Sequence, residues 1–253
     1  MTAVITPIQW DGAVPTWAAQ ILAAPGGLVV CATKVGYILM TTDGPGLERK
    51  FDAKQRSRNK PGVVLCSSTS QLKELVELND EILAFYQVHW DNDILLGCVL
   101  PWREEALRLI PDATAKALAM DGRGTSCFVI KFGRPAGQLA EIMWQYRTLT
   151  FASSANPSGV GNKGRVEGIG QRIEAEADLI IAADDYVASI QPGKTADSRH
   201  EQGVMVSMVD ESGKLVPEQS VYGAVRDRSP PRTHISVGQW RARRWMPSTN
   251  DLV

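Results

Sequence analysis

Hydroxyl and amide side chains crowd one short stretch of the chain, 153–159, whose sequence is Ser-Ser-Ala-Asn-Pro-Ser-Gly. It follows a largely apolar run, 148–152, that predicts a buried strand. A polar turn at the carboxyl end of a strand presents hydroxyl, amide and backbone N–H groups to one small volume. Such groups bind phosphate or carboxylate oxygens, and Ser153, Ser154 and Asn156 are the candidates here. The alternative is an ordinary turn rich in serine and asparagine that binds nothing.

A second candidate site is the basic stretch 51–61, which contains Lys54, Arg56 and Lys60. Lys54 and Arg56 are two residues apart, so an extended exit from a helix would point both side chains the same way. A lysine is a point charge and an arginine is a bidentate fork. Together they suit an anion with several oxygens, such as a polyphosphate. The alternative is a solvated basic loop.

Apolar runs and helical stripes predict the elements that must position these stretches. Strands are predicted over 28–32, 37–40, 62–66, 93–99, 126–132, 148–152, 178–182, 203–209 and 221–226. Helices are predicted over 14–22, 47–54, 70–86, 112–120 and 139–146, with a short one around 169–173. The third helix is expected to begin at Ser70. Interleaved strands and helices indicate an α/β fold, a mixed sheet with helices on its faces.

The composition narrows the classes of protein that are possible. The chain has 253 residues, of which 44% are hydrophobic and 22% charged, as in ordinary globular proteins. A net charge of -1 gives no overall field that attracts nucleic acid or membranes. No run approaches the length of a membrane-spanning helix, and residues 1–10 lack the basic start and apolar core of a signal peptide. We therefore expect a cytoplasmic protein with no membrane partner.

The cysteines and histidines show no spacing typical of a metal site. Cys31, Cys66, Cys98 and Cys127 are scattered without a CxxC pair, which favours buried free thiols. The three histidines are far apart, and no residue is assigned to a metal. Asp43 and the 184–185 aspartate pair could hold Mg²⁺, but the commoner role of such acids is that of surface side chains.

The last residues, 227–253, differ in character from the rest of the chain. Five arginines alternate there with Trp240, Trp245 and a Pro-Pro pair. The segment could contact RNA through phosphate contacts and aromatic stacking, or it could pack on its own domain through the tryptophans. We expect the second arrangement, because five arginines in a chain of near-zero net charge are a weak signal for nucleic acid.

The two candidate stretches together resemble the YrdC/YciO family, which includes threonylcarbamoyl-AMP synthases. The resemblance rests on Lys54-x-Arg56, on Lys60-Pro61 before an apolar strand, and on the later Ser154-Ala155-Asn156-x-Ser158-Gly159. Segment 33–39, Thr-Lys-Val-Gly-Tyr-Ile-Leu, looks like the family's early Pro-Thr-Asp-Ser-Gly-Tyr-Ala-Leu, closest to the YciO branch. The resemblance to the family covers roughly residues 14–226. A YrdC-like domain is therefore expected over 1–226, and an Arg/Trp-containing extension over 227–253.

What the resemblance implies is a twisted mixed sheet with a deep basic groove. In the family's synthases such a groove holds ATP, Mg²⁺, bicarbonate and threonine, and it yields threonylcarbamoyl-AMP and pyrophosphate. Lys54 and Arg56 match the residues on which catalysis depends. The implied nucleotide and phosphate ligands are Lys54, Arg56, Lys60, Ser154, Asn156 and Arg226. The implied substrate-binding residues are Thr33, Tyr37, Lys131 and Ser153.

The sequence departs from the family pattern mainly around the acceptor. The family's early Pro is Ala32, the acid after its Thr is Lys34, and its Arg-x-Pro is Lys131-Phe132-Gly133. The phosphate-facing half of the site is thus kept and the acceptor half altered. The expected activity is formation of a carbamoyl-adenylate from ATP, bicarbonate and an amino acid or other amine. The alternatives are a non-catalytic nucleotide- or RNA-binding module, and a carbamoyl transferase or nucleotide hydrolase in a specialised pathway.

Overall fold

The computed structural model describes residues 6–58, 61–157, 161–193, 195 and 204–216. In these ranges the strands are β1 (Ile8–Gln9), β2 (Val29–Thr33), β3 (Gly36–Thr41), β4 (Val63–Leu65), β5 (Leu96–Pro101), β6 (Thr125–Ile130), β7 (Phe151–Ser154), β8 (Leu179–Ala182) and β9 (Val204–Ser207). The helices are α1 (Thr16–Ala23), α2 (Gly44–Lys54), α3 (Thr69–Leu75), α4 (Asp80–Asp91), α5 (Ala113–Ala119), α6 (Ala136–Gln145), α7 (Gln171–Glu176) and α8 (Asp184–Ile190). Two 3-10 turns, Glu104–Leu109 and Val166–Ile169, complete the described elements.

The strands form one mixed sheet in the order β1-β8-β2-β3-β7-β4-β6-β5-β9. Pairs β1/β8, β2/β8, β4/β6 and β5/β9 are parallel, and the other neighbours are antiparallel. β7 is the central strand, because four described strands lie on each side of it. The predicted α/β fold, a mixed sheet with helices, is confirmed.

Alternating side chains of β2 show why both faces of the sheet are covered. All five residues of β2 are buried, as expected for a strand between two helical layers. Val29 and Cys31 pack in a cluster with residues of α1 and α6. Val30 and Ala32 point to the opposite face and pack with residues of α7 and α8. The period of two thus places helices on both sides of the same strand.

Helix α2 is fixed firmly at both ends, which matters because it delivers Lys54. The Asp43 side chain caps its first turn by accepting from the backbone N–H of Gly46 at 2.8 Å. At the other end Gln55 adopts a left-handed conformation (φ 48°), and the N–H of Arg56 bonds back to the carbonyl of Phe51 at 3.0 Å. This is a Schellman motif. The prediction of an extended exit from this helix was therefore wrong, because Gln55 turns the chain sharply.

Two boundaries differ from the sequence-based expectation. β7 covers Phe151–Ser154, so Ser153 and Ser154 are strand residues and not members of a following turn. The predicted long helix over 70–86 is two helices, because Val76 forms an isolated β-bridge with Trp102 between them. Ser68, not Ser70, caps α3, and its hydroxyl accepts from the N–H of Gln71 at 3.0 Å.

Several expectations concern residues beyond the described ranges or general properties of the chain. The strand predicted over 221–226 and the extension 227–253 lie outside the described residues. The four cysteines carry free thiols, as predicted, and three of them are buried. Among the helices that the structure describes, none has both the length and the apolar character needed to cross a bilayer.

Candidate functional site

The site lies where β7, the central strand, extends beyond the first residue of its neighbour β4. β7 and β4 are antiparallel, and β4 begins at Val63, opposite Ala152. Ser153 and Ser154 therefore pair with β3 alone, and the register places Ser154 opposite Ile38. Since backbone carbonyls alternate in direction along a strand, the carbonyl of Ser154 points toward the side that β4 has vacated. This open edge of the sheet is filled by the end of α2.

Lys54, the last residue of α2, reaches this open edge. Its ammonium group donates to the backbone carbonyl of Ser154 and, at 3.1 Å, to the Ser154 hydroxyl. The residue is only 5% exposed. Burial, with the nearby positive charge of Arg56, lowers the pKa of Lys54 from 10.5 to about 7. The two candidate stretches thus meet through one direct contact.

Lys50 lies one helical turn before Lys54 and was not singled out from the sequence. It is 1% exposed, and its ammonium nitrogen has no hydrogen-bond partner among the described residues. A Cβ added to Gly62 would lie 2.6 Å from this nitrogen, so the ammonium group packs against the backbone just before β4. Burial, followed by the charges of Arg56 and Lys54, lowers the pKa of Lys50 to about 7. A buried lysine without a counter-charge calls for an explanation, because the charged form is costly there.

Arg56 and Arg58 have different surroundings despite their proximity in sequence. Arg56 is half-buried, and its charge is felt by both Lys50 and Lys54. Arg58 is bound to its own helix: its Nε donates to Glu48 at 2.9 Å, and its Nη2 contacts Asp52 at 3.1 Å. Arg56 therefore belongs with the buried lysines, whereas Arg58 forms surface ion pairs.

Two buried oxygens near the end of β7 have no hydrogen-bond partner within the described part of the chain. They are the hydroxyl of Ser153 and the side-chain carbonyl oxygen of Asn156. The amide nitrogen of Asn156 donates to the carbonyl of Pro157 at 2.8 Å, which fixes its orientation. Buried polar atoms are normally satisfied, so these two are well placed to bond a ligand.

Thr33 and Tyr37, the predicted substrate-binding pair, use their hydroxyls within the fold. Thr33 donates to the carbonyl of Gly36 at 2.6 Å across the β2–β3 turn. The Tyr37 hydroxyl donates to Asp184 and accepts from the N–H of Ala183 at 2.8 Å. Burial raises the pKa of Tyr37 far above its usual value. Both residues are buried, so any part they play in substrate binding depends on the shape that they give to the site.

Asn162 holds the backbone of this turn and was also missed from the sequence. Its amide donates to the carbonyl of Tyr37 at 2.7 Å and accepts from the N–H of the same residue at 3.2 Å. Gly36 has φ 100°, and a Cβ there would lie 2.0 Å from the Asn162 oxygen. The turn therefore requires glycine at position 36.

Lys131, which follows β6, lies in a second basic cluster together with Lys34, which follows β2, and Asp93, which comes after α4. The Lys34 ammonium lies 2.5 Å from the Asp93 carboxylate, and that of Lys131 lies 3.5 Å from it. Lys131 also sits 4.2 Å from the centre of the Trp90 ring. Burial lowers the pKa of Lys34, although Asp93 opposes that shift. The cluster lines a cavity of about 490 Å³ that Arg134 and Tyr186 also border.

Acidic residues that could have held Mg²⁺ serve other purposes. Asp184 accepts from Tyr37 and from the N–H of Val166 at 3.1 Å. Asp43 caps α2 and also accepts from Gly26 at 2.8 Å. Among the residues described, no group of three or more carboxylate, histidine or cysteine side chains could hold a metal ion. Mg²⁺ that arrived with a nucleotide would be held by the phosphates and by few protein ligands.

The structure therefore brings together Lys50, Lys54, Arg56 and Ser154, with Ser153 and Asn156 nearby on and after β7. Lys131 lies apart from this cluster, at the cavity of the second basic cluster, and Thr33 lies at the β2–β3 turn. Tyr37 is next to the cluster, because its carbonyl accepts from the N–H of Ala155 at 2.8 Å, although its hydroxyl is bonded to Ala183 and Asp184. Lys60, Ser158 and Arg226 lie outside the described residues. The one signal that could have identified Lys50 is its position four residues before Lys54, which places both on one face of α2.

Known proteins resemble this chain over most of its length. The family model Sua5_yciO_yrdC, described as telomere recombination, matches residues 22–192. The crystal structure of a hypothetical protein, smu.1377c of Streptococcus mutans UA159, is 56% identical with a TM-score of 0.78, and the match covers 86% of this chain and 85% of that one. No protein of curated function matches the sequence.

More distant structures share the fold at low identity. Sua5 of P. abyssi complexed with L-threonine is 18% identical with a TM-score of 0.58, over 82% of this chain and 55% of that one. Full-length HypF in its phosphate- and nucleotide-bound form is 14% identical with a TM-score of 0.54, over 76% of this chain and 26% of that one. The match thus spans about half of Sua5 and a quarter of HypF.

Proposed function

Because the chain belongs to the Sua5/YciO/YrdC family, we propose that it is a nucleotide-dependent enzyme that forms a carbamoyl-adenylate. The substrates are ATP, bicarbonate and an amino acid or other amine. The amine nitrogen attacks the carbon of bicarbonate, and loss of water leaves a carbamate. A carbamate oxygen then attacks the α-phosphate of ATP, and pyrophosphate departs with the electron pair of the broken P–O bond. No covalent bond to the protein is required.

The observation that carries this proposal is the pair of buried lysines beside Arg56. Lys50 and Lys54 form no ion pair with any described carboxylate, and Lys54 instead donates to Ser154. Adenylation places negative charge on the α-phosphate and on the departing pyrophosphate. Fixed cations in a site of low dielectric constant stabilise that charge more strongly than water does. The Arg56 fork can grip two phosphate oxygens at once, and the hydroxyls of Ser153 and Ser154 can donate to others.

The second basic cluster is our candidate for the amine substrate. Lys34, Lys131 and Arg134 border a cavity that is large enough for an amino acid, at about 490 Å³. Their positive charges suit the carboxylate of an amino acid, and Asp93 and Glu141 on the same wall suit its ammonium group. The threonine held by Sua5 and the nucleotide held by HypF, both of this fold, are consistent with such substrates.

The test is pyrophosphate release when the protein meets ATP, Mg²⁺, bicarbonate and a panel of amino acids and amines. We expect release that depends on bicarbonate and on one class of amine, with the matching carbamoyl-adenylate seen by mass spectrometry. The control is the same mixture from which bicarbonate has been removed. ATP binding without pyrophosphate release from any amine would favour the non-catalytic module. Phosphate release without bicarbonate would favour a nucleotide hydrolase.

A further inference from the structure

Lys50 is a buried amine whose surroundings do not account for it. Its nitrogen lies against the backbone at Gly62 and 4.9 Å from the centre of the Phe51 ring. Among the described residues it has neither a hydrogen-bond partner nor an ion pair. A methionine would fill the same space without a charge to desolvate. The position therefore carries an amine at some expense to the stability of the fold.

The charges that act on Lys50 are both positive. They are Arg56 and Lys54, which follow it on α2 and just after that helix. In the described segments of β4 and β7 beside it, 62–65 and 151–154, no side chain is acidic or basic. On α5, which packs against α2, Asp112 accepts from the N–H of Gly44 and Lys116 is exposed. On the α7 side, Glu176 and Asp178 pair with Arg49.

We propose that in mildly alkaline solution Lys50 is mostly neutral when the site is empty, and that it takes up a proton when an anion binds at Lys54 and Arg56. This rests on the proposed function, since it needs an anion at those two residues. The Lys50 nitrogen is buried, so it acts on the anion at a distance and is not one of its ligands. Lys50 thus acts electrostatically from outside the contact shell of the anion, and its protonation makes the affinity for the anion depend on pH.

The reason is that electrostatic interactions are mutual. Burial and the charges of Arg56 and Lys54 hold the pKa of Lys50 near 7. An anion that neutralises those charges removes part of this effect and adds an attraction of its own, so the pKa of Lys50 must rise on binding. Binding above pH 7 then takes up protons, and the affinity falls as the pH rises. The same holds for Lys54, whose pKa is also about 7.

The experiment is calorimetric titration of ATP into the wild-type protein and Lys50→Met, between pH 7.5 and 9.5. A terminal phosphate loses its last proton with a pKa of about 6, so the ATP charge is nearly constant over this range. Buffers with different ionisation enthalpies report the number of protons taken up. We expect the wild type to take up about one proton more than Lys50→Met, with a steeper fall of affinity with pH. Lys116→Met, which removes an exposed lysine of α5, should match the wild type.

Thermal unfolding of the same variants separates this role from a structural one. The unfolded chain keeps Lys50 charged up to its ordinary pKa of 10.5, whereas the folded protein does so only up to about 7. Its destabilising effect is therefore complete below pH 7 and disappears as the pH rises toward 10.5. Lys50→Met should melt higher than the wild type at pH 6.5, and the gap should close by pH 10. A lysine needed for folding would give a lower melting temperature.

The outcomes distinguish the two proposals. If the wild type binds no ATP at any pH, both are overturned. If it binds ATP but Lys50→Met takes up as many protons, the role of Lys50 is wrong and the proposed function stands. If Lys50→Met does not fold, Lys50→Gln serves in the same titration. A wild-type protein that takes up no protons between pH 7.5 and 9.5 overturns the proposal without any variant.

Discussion

The two basic clusters of this protein contain lysines in opposite situations. Lys34 and Lys131 share the carboxylate of Asp93, and Lys131 also lies over an aromatic ring. Lys50 and Lys54 are more deeply buried, and neither pairs with a described carboxylate. The pKa of both falls to about 7, mainly because of burial. The charge of the first cluster is partly compensated by Asp93, whereas no described carboxylate compensates the charge of the second.

The number of basic residues in a cluster does not reveal whether their charges are paired with carboxylates in the fold. Both clusters contain two lysines and lie near an arginine, and both would read as basic patches from sequence. Lys34 and Lys131 share one carboxylate, so only part of their positive charge is compensated within the fold. A buried lysine that has no carboxylate partner can form its ion pair with a bound ligand instead. The comparison therefore supports the proposal of an anion site at the end of α2.

The largest effect should come from Arg56→Ala. A charge-assisted hydrogen bond contributes about 1.5–3 kcal/mol, which is roughly ten- to a hundredfold in affinity. ATP or AMP binding, measured by calorimetry, should weaken by that factor. Arg56→Lys should recover only part of the loss, because a point charge cannot reproduce the fork.

Arg58→Ala is the matched control, since Arg58 already pairs with Glu48 and Asp52. We expect a change in ATP affinity of about threefold or less, because exposed ion pairs contribute little. Circular dichroism verifies that each variant is folded. An equal loss from Arg56→Ala and Arg58→Ala would mean that this region is a general basic patch, and the contrast drawn above would be wrong.

A middle-sized effect is expected from Asp93→Asn, which leaves the paired lysines without their counter-charge. The Asp93 side chain is 66% exposed, so the loss of stability should be only about 0.5–1 kcal/mol. Asparagine is chosen because residue 93 has φ 55°, a conformation that asparagine tolerates. Urea unfolding at pH 7 measures the change, with Asp91→Asn as the control. A tenfold change in ATP affinity would show that the two clusters are one site.

The smallest effect on stability should come from Lys131→Met, which removes the cation above Trp90. Such a contact at a partly exposed position contributes about 0.5–1 kcal/mol, and Asp93 retains Lys34 as its partner. Methionine keeps the apolar stem, and the substitution also removes the repulsion between Lys131 and Lys34. The two effects partly offset the lost contact, so urea unfolding should show a loss of about 0.5 kcal/mol or less. If Lys131 binds substrate, the amine dependence of pyrophosphate release should change much more than the stability does. Unchanged amine dependence would remove Lys131 from the substrate pocket.

The sequence predicted the parts of the fold that depend on local patterning. Apolar runs located β2 to β9 within a few residues, whereas β1 was not predicted. The helix predicted over 112–120 matches α5, whose first turn is capped by Asp112. The predicted ends of strands were wrong where contacts with other parts of the chain determine how far the strand extends. Ser153 and Ser154 join β7 because β3 continues beside them, and no local property of two serines predicts that.

The candidate site was only partly predictable, for a physical reason. Lys54 and Ser154 could be named because their types suit anions, and they do meet. Lys50 was missed because lysine is expected at the surface, so its burial against Gly62 is not visible in the sequence. Lys34 and Lys131 could be named, but their shared carboxylate, Asp93, is far away in the chain and is brought to them only by folding.

The position of β7 at the centre of the sheet has a consequence for how long the site persists. Central strands exchange their amide protons only when the whole domain opens, whereas edges and loops exchange through local fluctuations. Hydrogen bonds to β3 and β4 hold β7 on both sides, up to the point where Ser153 begins. The part of β7 that is paired on both sides should therefore exchange only with global unfolding, whereas Ser154 and its bond to Lys54, held by β3 alone, can open locally.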